Sequence, residues 1–491
     1  MKVLLISANT QTMNMPILPL GLACVTAATR RAGHDAALVD LMFEADPMSA
    51  VRDSIGDLCP EVIGISVRNI DDQVMESPQF LLPPVREVVA TCRRMSGAPI
   101  VLGGAGYSIF PESALRYLGA NMGIRGEGET TFPAVLERVA RRAPVSGLPG
   151  LYLPGQPPTG RSFVTNLDDL PLPDARLFVP SLSGSVDFWV PVQSRRGCPM
   201  DCSFCSTSAI EGRSIRRHSP DTIKEWLEHL LASGSHNFHF VDNTFNLSPA
   251  YAKELCRKIL ERGLDINLWC IIYPKWIDRD LVQLMARAGC REISLGFESG
   301  SGRMLGSFNK RFQVEEVRTV SRMFADVGIQ RRGFLLLGGP GETRESVEES
   351  LRFADSLNLD ALKVTVGLRV YPETLLAATA LAEGLIRPDD DLLWPRFYLA
   401  PRPPWATPLP APSSPRLSRW RAHPSRPAAS RHRRGWLRRA PAPRPVRSPR
   451  RSRGLSESQS CRAKCRSRIS ACRAATGDGC AAHPRRPAHS F

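Results

Sequence analysis

The chain lacks the features that mark membrane and secreted proteins. None of its apolar runs reaches the roughly 18 residues that a membrane-spanning helix needs. Its amino terminus, Met-Lys-Val-Leu-Leu-Ile-Ser, has no long apolar stretch or small-residue cleavage site and predicts a first β-strand. In a chain of 491 residues that is 43% hydrophobic, these absences predict a cytoplasmic globular protein of two or three domains with no membrane span.

Acidic residues are almost absent from the end of the chain. Residues 401–491 hold 22 of the 64 Lys and Arg residues but only 2 of the 48 Asp and Glu residues, so residues 1–400 carry a net charge of −4. This tail also holds 15 of the 42 prolines and shows no periodicity, so it cannot bury a core. We interpret it as the product of a shifted reading frame in a GC-rich gene; a disordered linker and a basic nucleic-acid arm are the alternatives. The mildly acidic body therefore does not predict a nucleic-acid partner.

Apolar periodicity divides the body into two βα series. Residues 1–143 predict a parallel sheet covered by helices on both faces, a flavodoxin-like or Rossmann-like α/β domain. A Pro/Gly-rich stretch, 144–186, predicts a linker. Residues 187–395 predict six βα units, two fewer than a closed barrel has, and therefore an open (β/α)6 barrel. The predicted strands are 2–7, 36–41, 61–66, 99–103, 121–125, 188–193, 236–241, 266–272, 291–297, 332–338 and 361–369. The predicted helices are 20–33, 79–94, 111–118, 130–142, 219–233, 248–262, 278–289, 312–328, 342–356 and 373–384.

Three closely spaced cysteines, Cys198, Cys202 and Cys205, follow the first strand of the second series. Thiolates are the usual ligands of iron–sulfur clusters. Three of them on one loop can hold three irons of a cubane and leave the fourth open to an amine and a carboxylate. Zinc is the alternative, but zinc sites usually fill four positions, and only His218 lies nearby. The spacing therefore predicts a [4Fe–4S] cluster.

The CxxxCxxC spacing, with Phe204 before the third cysteine on the first loop of a partial barrel, resembles the radical S-adenosylmethionine (SAM) superfamily. The resemblance implies that later strand ends contact SAM, with the Glu298 carboxylate near the ribose and the 338–342 turn near the adenine. The SAM-binding residues implied in this way are Phe204, Asp242, Gly296, Glu298, Gly338 and Pro340. Taken singly, the glycines also fit close packing, Asp242 a turn cap and Glu298 a solvated charge. Val-Asp-Asn replaces the Gly-Gly-Glu that many members place after the second strand.

Loops that end the strands of the first series converge on one edge of the predicted sheet, and their glycines let the backbone approach a bulky planar ligand. They resemble the cobalamin-binding domain that precedes the barrel in the cobalamin-dependent radical SAM family, a resemblance that covers roughly residues 1–395. A domain without the cofactor is the alternative. The cobalamin contacts that the resemblance implies are Asn69, Gly103, Gly104, Gly126 and Gly128. The Asp-x-His-x-x-Gly motif is missing, and His34, the only histidine before residue 143, falls at the opposite sheet edge. We therefore predict cobalamin without a histidine ligand.

The resemblance implies an enzyme that uses the cluster, SAM and cobalamin, with a reductant such as flavodoxin or ferredoxin. We expect a methyltransferase acting on an unactivated carbon or phosphorus centre of a small metabolite. A ring-forming or rearranging enzyme of the same family is the alternative. A tRNA methylthiotransferase would need a second cluster from Cys24, Cys59 and Cys92, and a non-catalytic binding protein would leave the cysteine trio unexplained.

Overall fold

The structure is a computed structural model that describes residues 1–11, 17–177 and 188–400. The predicted tail, 401–491, and residues 178–187 of the predicted linker and barrel start lie outside the described residues. Within the described part, no helix has the length and apolar character needed to cross a membrane.

The first βα series forms a sheet with the strand order β2-β1-β3-β4-β5-β6, parallel throughout except for β6. Its first five strands have the order 2-1-3-4-5 of flavodoxin-like domains, which confirms the predicted class. The strands are β1 Lys2–Ser7, β2 Asp35–Asp40, β3 Val62–Ser66, β4 Ile100–Gly103, β5 Met122–Ile124 and β6 Leu151–Tyr152. The helices are α1 Leu20–Arg31, α2 Pro47–Leu58, α3 Leu82–Met95, α4 Ala105–Ile109, α5 Pro111–Leu118 and α6 Gly128–Ala140.

Alternating residues of β1 explain why helices cover both faces of this sheet. Leu4 and Ile6 belong to one apolar core, and Val3 and Leu5 belong to another on the opposite face. The sequence did not predict α2, because only Val51 and Ile55 are buried along it. Its start is fixed instead by the Asp46 side chain, which accepts hydrogen bonds from two amides of the first turn.

The second series forms six parallel strands in the order β14-β13-β12-β11-β10-β7. Across the described residues β7 and β14 do not pair, so the barrel is open, as predicted. Its strands are β7 Val190–Val192, β10 Asn237–Phe240, β11 Asn267–Ile272, β12 Cys290–Glu298, β13 Gln330–Leu337 and β14 Ala361–Val366. Two antiparallel pairs flank it, namely β8 Arg195–Arg196 with β9 Arg216–Arg217 and β15 Leu368–Arg369 with β16 Phe397–Tyr398. The helices are α7 Thr207–Glu211, α8 Pro220–Ala232, α9 Pro249–Glu261, α10 Arg279–Arg287, α11 Gly302–Ser307, α12 Val314–Asp326, α13 Arg344–Ser356 and α14 Leu375–Ala382.

A buried ion pair joins the end of the barrel to the first domain. The Arg369 Nε atom donates to the Asp71 carboxylate at 2.8 Å, and its Nη2 atom donates to the Leu392 carbonyl at 2.8 Å. Both charged side chains are 2% exposed. The Phe110 and Tyr371 rings lie 5.4 and 5.2 Å from the guanidinium. Asp71 follows β3, so this pair holds the strand-end loop of the first domain against the barrel.

We expect Arg369→Met to lower the free energy of unfolding by about 3–5 kcal/mol, because the substitution leaves the buried Asp71 carboxylate without its partner. Denaturant unfolding followed by circular dichroism measures the effect. The control is Arg116→Gln, which removes an exposed ion pair between the same two parts of the chain, Arg116 to Asp391 at 3.0 Å. An exposed pair contributes at most about 1 kcal/mol. If the two variants lowered the free energy of unfolding equally, the buried Arg369–Asp71 pair would not hold the two domains together as described.

Candidate active site

The three predicted ligand cysteines lie on the loop between β8 and α7, directly after the first barrel strand. Their thiols are half-buried and form no disulfide. Backbone hydrogen bonds fix the loop, from Cys198 N to the Gly212 carbonyl at 3.1 Å and from Ser203 N to the Phe308 carbonyl at 3.0 Å. Burial raises the pKa of Cys198 to about 11 and also raises the pKa of Cys202. These thiols therefore need a bound cation to become thiolates, as metal ligands do.

The loop fits a cubane better than it fits a single metal ion. In the part of the chain that the structure describes, no three His, Cys, Asp or Glu side chains are grouped around one metal position. A zinc site requires such a group, whereas in a cubane each thiolate binds its own iron. His218, the one further ligand considered for zinc, has its Nδ1 atom 3.2 Å from Asp168 Oδ1. The donor chemistry therefore supports the cluster, and the cysteine roles remain predictions.

Asp242 stabilises the start of the cysteine loop. Its side chain is fully buried and accepts hydrogen bonds from Ser194 N at 2.7 Å, Ser194 Oγ at 2.5 Å and Arg195 N at 3.1 Å. Both carboxylate oxygens are thus used within the protein. Asp242 therefore has no accessible carboxylate oxygen with which to contact SAM. We replace the predicted SAM contact with a role in positioning the cysteine loop. Burial raises the pKa of this carboxyl, and Arg195 opposes the shift.

Glu298 ends β12 beside a lysine that the sequence did not single out. Its backbone has a φ of 61°, next to a register shift in the pairing of β12 with β13. The Lys310 Nζ atom lies 3.2 Å from Glu298 Oε1, and both side chains are mostly buried. Burial by itself lowers the pKa of Lys310, but the charges of Glu298 and Cys202 outweigh it and raise that pKa overall. A buried cation therefore stands between the predicted ribose carboxylate and a predicted iron ligand.

Aromatic rings surround this lysine. Its ammonium lies 5.3 Å from the centre of the Phe204 ring, 5.9 Å from that of Tyr273 and 6.0 Å from that of Phe312. Phe204 also packs edge-on against Phe308 at 5.6 Å. Phe204, the aromatic residue of the cysteine motif, therefore makes a cation–π contact with Lys310.

The two glycines predicted to approach SAM have different surroundings. A Cβ on Gly338, whose φ is 94°, would lie 2.5 Å from a Leu399 side-chain atom, so internal packing alone requires glycine there. The Gly338 amide donates to the buried Glu342 carboxylate at 2.8 Å, and the Pro340 carbonyl accepts from Ser307 Oγ at 2.7 Å. These bonds fix the 338–342 turn. A Cβ on Gly296 would meet only Glu298 Oε1, at 3.2 Å, so Gly296 borders open space.

We expect Gly296→Val to weaken SAM binding at least tenfold while the chain still folds and takes up iron. A valine fits a strand, but here its methyl groups would occupy the space that the nucleoside needs. Isothermal titration with SAM and an iron assay separate the two effects. Gly306→Ala is the control, because a Cβ at that helical position meets nothing within 4 Å. Unchanged SAM affinity in Gly296→Val would remove Gly296 from the site.

The residues predicted to contact cobalamin also divide into two kinds. The Asn69 Nδ2 atom lies 3.4 Å from Asn9 Oδ1, and the buried Asn9 Nδ2 atom has no protein partner among the described residues. A Cβ on Gly103 would approach only the Ile124 carbonyl, at 3.9 Å. Asn69 and Gly103 therefore border space that a ligand can fill, and the Asn9 side-chain amide can donate a hydrogen bond to a ligand there.

Internal packing explains why two of the other predicted cobalamin contacts, Gly104 and Gly128, are glycines. A Cβ on Gly104 would lie 2.6 Å from the Val67 carbonyl, and one on Gly128 would lie 2.9 Å from a Val25 methyl group. Gly126 donates its amide to Ser108 Oγ at 2.9 Å, in the loop that leads into α6. The cobalamin contacts of these three glycines remain predictions, supported by their place at the strand ends.

His34 lies where the sequence placed it. It follows α1 and precedes β2, so it sits at the edge where the strands begin, and its Nδ1 atom is 3.4 Å from the terminal amine of Met1. Ligands of open parallel sheets bind at the other edge. The expectation that no histidine of this domain reaches a bound corrin is consistent with that position.

Comparison with known proteins agrees with this architecture. Residues 6–136 match the B12 binding domain, and residues 192–354 match the radical SAM superfamily. The chain belongs to the cobalamin-dependent radical SAM enzymes, with a B12-binding domain ahead of the radical SAM domain. The expected cofactors of this family are a [4Fe–4S] cluster, SAM and cobalamin, and the prediction of all three is confirmed at the level of the family.

Individual relatives cover both domains. An uncharacterized methyltransferase of Pyrococcus horikoshii is 27% identical over 79% of this chain and 84% of its own length. Tryptophan 2-C-methyltransferase of Streptomyces laurentii is 26% identical over 76% of this chain and 74% of its own length. The structure of the radical SAM methyltransferase TsrM from Kitasatospora setae, solved with cobalamin and a [4Fe–4S] cluster, aligns with a TM-score of 0.70. The two chains are 24% identical, and the alignment covers 78% of this chain and 74% of that one, which shows a shared fold.

Proposed function

We propose that this chain is a radical SAM methyltransferase that methylates an unactivated carbon or phosphorus centre of a small metabolite. The observation that carries the proposal is the half-buried loop of three thiols at the mouth of the open barrel, joined in one compact unit to a B12-type domain. Both relatives described above that span the two domains are methyltransferases. When bound, the cluster, SAM and cobalamin supply the radical and methyl-transfer chemistry.

The protein's own residues hold and orient these groups in this proposal. Cys198, Cys202 and Cys205 bind iron. Glu298 accepts hydrogen bonds from the ribose hydroxyls, and Lys310 holds the Glu298 carboxylate in place at 3.2 Å. Gly296 leaves room for the nucleoside. Asn69 and the backbone at Gly103 border the corrin.

The cellular location of the enzyme and the source of its electrons are further parts of this proposal. We propose that the enzyme works in the cytoplasm, where cysteines stay reduced; all nine cysteines in the described ranges are free thiols. A small protein reductant such as flavodoxin or ferredoxin supplies the electron to the cluster. Reconstitution with flavodoxin and its reductase, in place of dithionite, tests this partner.

A methylthiotransferase function finds no support in the N-terminal cysteines. Cys24 and Cys92 are buried within α1 and α3, where burial raises their pKa values to about 12 and 11, and Cys59 is exposed after α2. A ring-forming or rearranging radical enzyme of the same family is the remaining alternative.

The products of turnover separate methyl transfer from rearrangement. Anaerobic protein reconstituted with iron, sulfide and cobalamin is given SAM, a reductant and candidate substrates chosen from aromatic amino acids and phosphonates. We expect both 5′-deoxyadenosine and S-adenosylhomocysteine, because a methyltransferase consumes one SAM as radical source and another as methyl donor. Omission of cobalamin is the control and should abolish only S-adenosylhomocysteine. Deoxyadenosine alone, with cobalamin bound and substrate consumed, would favour rearrangement.

A further inference from the structure

A network of buried polar side chains begins on the B12-binding side of the molecule, at the start of α6. The Arg196 Nη2 atom donates to Glu129 Oε1 at 2.6 Å, and its Nη1 atom lies 3.3 Å from Glu127 Oε1. All three side chains are at most 10% exposed. Arg216 also donates to Glu127, so two carboxylates face two guanidinium groups. Glu127 and Glu129 lie in the loop and first turn that follow β5, the edge where the corrin is expected.

The same arginine continues the network into the cysteine loop. Its Nε atom donates to Gln193 Oε1 at 3.1 Å, and Gln193 Nε2 donates to Glu211 Oε1 at 2.9 Å. Glu211 Oε2 accepts from the Gly197 amide at 3.0 Å, directly before Cys198, and from Asn243 Nδ2 at 2.6 Å. Gln193 therefore joins the Arg196 side chain to the Glu211 side chain. Arg216 Nη2 donates to the Glu211 backbone carbonyl at 2.7 Å but not to its carboxylate.

The network ends at a predicted iron ligand. Thr207 Oγ1 donates to Asn243 Oδ1 at 3.4 Å, and the Cys205 thiol lies 3.3 Å from the same hydroxyl. Hydrogen bonds thus run without a break from the loop after β5 to both ends of the CxxxCxxC motif. The Arg196 end of this network is buried and the Gln193, Glu211 and Asn243 end is partly buried. Such a network favours one arrangement of its members, because a member that turns away leaves a charge or amide unpaired away from bulk water.

We propose that Gln193 and Glu211 are positioning residues that couple the binding of cobalamin to the binding of the iron–sulfur cluster; this inference rests on the proposed function. Neither side chain needs to touch a cofactor. The first cofactor to bind orders the loop it contacts and, through the network, the other loop, so the second cofactor meets a loop that is already ordered. Coupling of this kind is reciprocal.

Cobalamin affinity, measured with and without the cluster, tests the coupling. Hydroxocobalamin is titrated by absorbance into anaerobic full-length protein, once after iron removal with a chelator and once after cluster reconstitution. For the unmodified chain we expect the Kd to be about tenfold lower with the cluster present, within the usual range of coupling between sites. Gln193→Met breaks the link without leaving a charge unpaired and should reduce this ratio to below about twofold. Glu211→Gln, which replaces one acceptor by a donor, should do the same.

Arg116→Gln is the matched control, because it removes the exposed ion pair between the same two parts of the chain and lies outside the network. Its ratio should stay near tenfold. A chain that takes up both cofactors with the same cobalamin Kd in the two states overturns the coupling and leaves the proposed function intact. A ratio that Gln193→Met and Glu211→Gln leave unchanged overturns the role of the network. Protein that takes up neither iron nor cobalamin overturns the proposed function and this inference together.

Discussion

Replacing Cys202 with alanine is expected to abolish the cluster and, with it, the cleavage of SAM. Each thiol of the trio has its own iron to bind, so the loss of one leaves a second corner of the cubane without a protein ligand. Substitutions of residues that merely support a metal ligand cost about 10–100-fold. The loss of a ligand itself should therefore lower deoxyadenosine formation by more than about 100-fold. Iron content and the 400-nm absorbance of anaerobically reconstituted protein should fall in parallel.

Cys59→Ala is the matched control for this experiment. Cys59 is an exposed thiol that follows α2, so its removal tests for nonspecific iron loading at surface cysteines. It should leave iron content and SAM cleavage unchanged. Cys198→Ala and Cys205→Ala should behave like Cys202→Ala. If any one of the three variants kept full cleavage activity, that cysteine would not be a ligand.

Replacing Lys310 with methionine is the second change with a large expected effect. The buried ammonium balances the Glu298 carboxylate at 3.2 Å and the charge that Cys202 carries when it binds iron. Removing one partner of a buried charge pair costs about 2–5 kcal/mol. SAM cleavage should therefore fall by roughly 30- to 5,000-fold. The cluster should also become harder to reduce, because a nearby cation favours the reduced, more negative state.

A double-mutant cycle distinguishes this electrostatic role from simple packing. Methionine keeps most of the apolar stem of Lys310, and combining Lys310→Met with Glu298→Gln removes both charges together. The cluster potential should drop in Lys310→Met and recover partly in the double variant. Lys253→Met, which removes a partly exposed lysine that pairs with Asp278 and Asp280 on the barrel surface, is the control and should leave the potential unchanged. An unchanged potential in Lys310→Met would refute the electrostatic role.

Local patterns were sufficient to predict the parallel strands of both sheets and the cysteine loop, but not the short antiparallel strands. Val3 to Ile6 and Ile293 to Phe297 lie in short apolar runs between turn residues, and such runs predict buried parallel strands from the sequence alone. The cysteine spacing is likewise a property of eight consecutive residues. Both signals are contained in one segment of chain, so neither needs knowledge of what packs against it.

The features of the site that the sequence analysis missed depend on contacts between distant segments. Lys310 stands in a polar Asn-Lys-Arg stretch typical of a surface turn, and only the approach of Phe204 and Tyr273 makes its position a buried one. Glu211 ends a five-residue helix, and its role depends on the hydrogen bonds that Gln193 and Asn243 donate to its carboxylate. Asp242 was assigned to SAM from its strand-end position, but Ser194 and Arg195 occupy both of its oxygens.

Electron paramagnetic resonance of the reduced, anaerobically reconstituted chain tests the central claim most directly. Three protein thiolates and one open iron predict a single reduced [4Fe–4S] signal per chain whose g-values shift when SAM is added, because the amine and carboxylate of SAM bind the open iron. A signal that SAM leaves unchanged, or the absence of any such signal in protein protected from oxygen, would contradict the account.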